Sequence, residues 1–70
     1  MDIQTQINES MNRAVENGYE EFTMHETPAA IAVDMVDYDS DIAKLVEKEF
    51  AGDEVGLIPF IEAWQRSRAA

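Results

Sequence analysis

No cysteine occurs in the 70 residues of this chain. That excludes disulfide staples and thiolate zinc sites, two common supports for a domain too short to bury a large core. It also fits a reducing compartment. Basic residues are scarce: five Lys and Arg stand against fifteen Asp and Glu, for a net charge of −10. Such a chain lacks the basic patch that direct nucleic-acid binding needs, and it is repelled by anionic membranes. Long apolar runs are missing as well. The stretch Thr27 to Val33 is as long as any uncharged run, far short of the ~20 residues of a membrane span. Met-Asp-Ile-Gln-Thr-Gln at the start has neither a basic region nor an apolar core, so no signal peptide is expected there. The three glycines, at 18, 52 and 56, form no phosphate-cradling loop. The single histidine, His25, has Glu20, Glu21 and Glu26 near it but no second imidazole or thiol with which to build a metal site. No Ser-His-Asp arrangement can be argued around it, and Ser10, Ser40 and Ser67 have helix or cap explanations. No catalytic, cofactor or metal residue is expected, and the protein reads as a non-enzymatic, cytoplasmic one.

What remains is globular, at 46% apolar residues, and helical in its periodicity. Asp2 is a good cap for a helix over about 3–17. Its stripe is Ile3, Ile7, Met11, Ala14 and Val15, and Asn17-Gly18 is a standard stop. Residues 19–26 have no helical period; Phe22 and Met24 alternate with Thr23 and His25, so an ordered linker or a short extended piece is expected. Thr27 caps and Pro28 opens a second helix over about 28–38, with Ile31, Met35 and Tyr38 on one face. Asp34, Asp37 and Asp41 would share a stripe of ~60° if that helix ran on. Asp39 would then fall on the apolar face, so a break at Asp39-Ser40 is predicted, with either residue as the next cap.

A third helix over about 41–51 buries Ile42, Leu45, Val46 and Phe50. Its outer Lys44, Glu47, Lys48 and Glu49 largely cancel, and Gly52 ends it. Asp53 caps a fourth over about 54–68, with Val55, Leu57, Ile58, Ile61 and Trp64 inward. Pro59 predicts a bend or a later true start. Gly56 leaves room for a close crossing. The expectation is a single all-α domain over 1–70, a bundle of three to four short helices. Four such helices cannot bury every apolar residue, so some of Val33, Val36, Ile58 and Phe60 should face outward.

Charge is distributed unevenly. Residues 20–54 hold eleven acids and two lysines, while 1–19 carry −2 and 55–70 carry +1. Asp37-Tyr38-Asp39-Ser40-Asp41 begins like a calcium loop. The pattern fails at its sixth position, Ile42, and at its twelfth, Lys48, so a capped break with a solvated acidic rim is the simpler account. In size, acidity, lack of cysteine and helical character the chain resembles small phage and mobile-element proteins, anti-CRISPR inhibitors among them. That resemblance rests on general character over the whole chain, not on a motif, and brings no residue with it. The concentrated charge itself, read beside that resemblance, points to an inhibitor whose carboxylates mimic nucleic acid and occupy a basic groove of a host protein such as a CRISPR effector. The residues placed there are Glu20, Glu21, Glu26, Asp34, Asp37, Asp39, Asp41, Asp53 and Glu54. The alternative is a homodimeric or accessory interaction module whose acidity only keeps it soluble.

Overall fold

The computed structural model describes residues 2–19 and 27–69. Four α-helices and one 3₁₀ turn follow in order: α1 (Ile3–Glu16), α2 (Pro28–Tyr38), α3 (Ser40–Glu49), the turn (Glu54–Leu57) and α4 (Ile58–Ala69). No strand occurs among the described residues, and the all-α bundle expected from periodicity is the fold. The linker expected over 19–26, with Phe22, Met24 and His25, lies outside the described residues beyond Tyr19.

Local chemistry sets the helix ends. The Asp2 carboxylate accepts from the Thr5 amide at 2.7 Å and caps α1. At the other end Gly18 takes φ +91°. Its amide donates to Val15 O and that of Tyr19 to Ala14 O, a Schellman closure that only a residue at ease with positive φ adopts cheaply. Thr27 caps α2 through the Ala30 amide at 3.2 Å, with Pro28 in the first turn, where its missing N–H breaks no bond.

The predicted break is a true corner made by one residue. Asp39 ends α2 by donating its amide to Met35 O and opens α3 by accepting from the Ala43 amide. Its carboxylate also accepts from the Asp41 amide at 2.9 Å. Helix α3 stops at Glu49, two residues earlier than its apolar pattern suggests. Ala51 (φ +55°) and Gly52 (φ +83°) both turn left-handed there, and the Asp53 amide closes a tight turn onto Phe50 O at 3.0 Å.

Of the two outcomes expected at Pro59, the structure takes the later start. Asp53 caps the 3₁₀ turn through the Val55 amide, and α4 begins only at Ile58, leaving Pro59 in its first turn. This corrects one core assignment. In a 3₁₀ turn residues three apart eclipse, so Leu57 cannot share a face with Val55. Leu57 is fully buried and Val55 is 57% exposed.

The core draws on every element: Ile7, Met11 and Ala14 from α1, Ile31, Ala32 and Met35 from α2, Ile42, Leu45 and Val46 from α3, Leu57 from the turn, and Ile61 and Trp64 from α4. Tyr38, expected inward, is 38% exposed. Its hydroxyl accepts from Asn17 Nδ2 at 3.2 Å, and its ring lies 5.6 Å from that of Tyr19. Of the apolar residues expected to be left over, Val33 faces out, while Val36, Ile58 and Phe60 are half-buried. Trp64 satisfies its indole N–H on Asn12 Oδ1 at 3.0 Å, joining α4 to α1. Gly56 makes room for a ring rather than a helix, since a Cβ there would stand 2.3 Å from Phe50 Cδ1.

Candidate functional site

Three acids are occupied with backbone architecture: Asp2, Asp39 and Asp53 each cap a helix or turn. Asp39 goes further. One carboxylate oxygen accepts from both the Ser10 hydroxyl, at 2.9 Å, and Arg13 Nη2, at 2.8 Å, while the other takes the Asp41 amide. Ser10 is fully buried in α1, and this is the bond that satisfies its hydroxyl. Burial works to raise the Asp39 pKa. The hydrogen bonds from Ser10, Arg13 and the amides of Asp41 and Ile42 outweigh it, and the carboxyl ends below its ordinary value of 3.8. Asp39 is therefore turned inward, and its charge is already engaged.

The other acids proposed from the sequence are placed as follows. Asp34 and Asp37 lie together on α2, with Asp37 exposed and Asp34 half-buried. Asp41 does not continue their stripe, because the corner at Asp39 moves it into the first turn of α3, where it lines the same hollow as Gln6 of α1. Asp53 and Glu54 stand side by side at the start of the 3₁₀ turn. Glu20, Glu21 and Glu26 lie outside the described residues. Two acids that sequence reasoning passed over complete a line with Asp2 on the solvent face of α1. Asp2, Glu9 and Glu16 are seven residues apart and all exposed. Seven residues fall only ~20° short of two full turns, so their spacing was the signal.

Cations do little to offset this charge. Twelve of the fifteen acids are among the described residues, and Arg13–Asp39 is the one ion pair among those residues. Lys44 and Lys48 balance Glu47 and Glu49 in net charge on α3 but form no ion pair with either. No group of three or more His, Cys, Asp or Glu among the described residues is arranged to hold a metal ion. Asp37, Asp39 and Asp41 are divided among α2, the corner and α3.

Concavity follows the seam between α1 and α3, which run antiparallel. Arg13 meets Asp39 at the start of α3, and Asp2 and Ile3 stand opposite Lys48 and Glu49 at its end. Two hollows lie in series along the seam. One of about 310 Å³ is lined by Gln6, Glu9, Arg13, Asp39, Asp41 and Ile42. The other, about 780 Å³, has Ile3, Leu45 and Phe60 as its apolar residues and Lys44 and Lys48 on one wall. Gln6 and Asp41 line both, so the two hollows adjoin.

Among the described residues no helix is long and apolar enough to cross a membrane. Comparison with protein-family models, with curated proteins and with solved structures gives no match to this chain.

Proposed function

We propose that this chain is a non-enzymatic binding protein whose carboxylates take the place of phosphates on a basic, nucleic-acid-binding surface of another protein. The inhibitors it resembles act on such surfaces, the nucleic-acid channel of a CRISPR effector among them. The observation that carries this reading is the lack of internal neutralisation: among the described acids only Asp39 has a cation beside it. Charges left unpaired on a small body raise its potential and steer it onto cationic surfaces. The negative groups free of capping on α2, α3 and the turn are Asp34, Asp37, Asp41, Glu47, Glu49 and Glu54, with Glu9 and Glu16 along α1.

The test is competition. A basic effector loaded with labelled duplex should release it on addition of the protein at ~0.1 M salt, and fail to do so near ~0.5 M, where screening is severe. Asp34→Asn, Asp37→Asn and Asp41→Asn together should abolish release while the helical signal survives. Release unchanged by both the substitutions and the salt ends the proposal.

A second reading, the homodimeric interaction module, has Val33 (48% exposed) and Val55 (57% exposed) in its favour. It requires melting that depends on concentration and a dimer mass in light scattering. A strict monomer at high concentration removes it.

A further inference from the structure

The groove along α1 and α3 has a chemistry of its own. Its floor is apolar, from Ile42, Leu45, Ile3 and Phe60. One wall, on α1, carries Asp2 and Glu9. The other, on α3, reads Asp41, Lys44, Lys48, Glu49, with the lysines in the middle and an acid at either end. Those are the only two lysines in the chain, both exposed and one turn apart, and neither forms an ion pair among the described residues. In a molecule with so large an excess of acids, two unpaired lysines beside an apolar floor form a local exception. A solvated acidic face alone does not account for them.

We propose that this groove receives one amphipathic helix of the partner protein. That helix is basic at its ends and carries carboxylates on either side of a central large apolar residue. The apolar residue seats on Ile3, Leu45 and Phe60. The flanking carboxylates meet Lys44 and Lys48, and the outer basic residues meet Asp41, Glu49, Asp2 and Glu9. The groove runs the length of α3, ten residues or ~15 Å, which takes two to three turns of helix. Two antiparallel helices with an open seam suit a third helix rather than a strand, and the seam exposes no sheet edge to extend. The lysines then fix register, and the acids supply attraction. This inference rests on the reading of the protein as a binder of a basic partner and names the element it grips.

Two synthetic helical peptides of about fourteen residues and identical composition decide it. In the first, a central Leu has Glu one turn to either side and Arg in the outer turns. In the second, the Glu and Arg positions are exchanged. Fluorescence anisotropy at ~0.1 M salt should show the first binding about tenfold or more tightly than the second. Lys44→Glu with Lys48→Glu should erase that preference, even though it makes the protein more negative and strengthens its pull on any cationic peptide. Both lysines are exposed, so the variant is expected to keep its fold, which circular dichroism checks. Equal binding of the two peptides overturns the groove and leaves the charge reading standing. Binding of neither, or a preference that survives the reversal, also overturns the groove. Release of nucleic acid by competition tests the charge reading separately.

Discussion

Replacing Asp39 with alanine removes three interactions at once, and the structure allows each to be weighed. The cap on α3, through the Asp41 amide, is worth about 1 kcal/mol. The fully buried Ser10 hydroxyl loses its acceptor, which costs about 1–3 kcal/mol. Arg13 is 54% exposed, so its ion pair adds under about 1 kcal/mol. The terms share one side chain and do not add strictly, so about 3 kcal/mol is expected in total. A domain of this length has only about 4–10 kcal/mol to lose, and its melting temperature should fall by roughly 20 °C. Chemical and thermal denaturation followed by far-UV circular dichroism measures both.

Ser10→Ala supplies the control, because in the Asp39→Ala background it removes the orphaned hydroxyl and should recover much of the part of the loss assigned to it. The pH dependence has a definite sign. A carboxyl depressed in the folded state contributes its stability in full above its ordinary pKa of 3.8 and loses it as pH falls through the lower folded value. The gap between wild type and Asp39→Ala should therefore be widest near neutrality and narrow below about pH 4. A loss under about 1 kcal/mol, or strict additivity of the two substitutions, would refute the reasoning.

Two further substitutions probe the end of α3. Ala51 holds φ +55° ahead of Gly52 at +83°, a turn that favours Asn followed by Gly. Ala51→Asn should raise the urea midpoint, gaining about 0.5–1 kcal/mol. Gly56→Ala drives a methyl into the Phe50 ring and should cost about 1–3 kcal/mol, part of which Phe50→Leu in the same chain should recover.

Helix ends were legible in the residues because capping is a short-range matter. Asp2, Thr27, Asp39 and Asp53 act on amides two or three positions ahead, and Gly18 closes α1 through its immediate neighbours. The apolar stripes of α1 and α3 were legible for a similar reason, since periodicity assigns a helix its inner face. What the stripes could not show was the 3₁₀ turn. An amphipathic pattern over 54–68 does not distinguish one helix from a turn followed by a helix, and Val55 changed sides as a result.

The residues by themselves determined the class of this protein: a short, acidic, all-helical body with its caps and corner in place, because those depend on neighbours along the chain. Only the tertiary structure decided which carboxylates are engaged and which are left over. Ser10 and Arg13 reach Asp39 across 29 and 26 residues, a meeting that no local pattern encodes. The same packing brought the two lysines to the wall of an apolar groove. The height and tilt of α1 against α3 depend on the whole core, and that is where the remaining chemistry of this surface was settled.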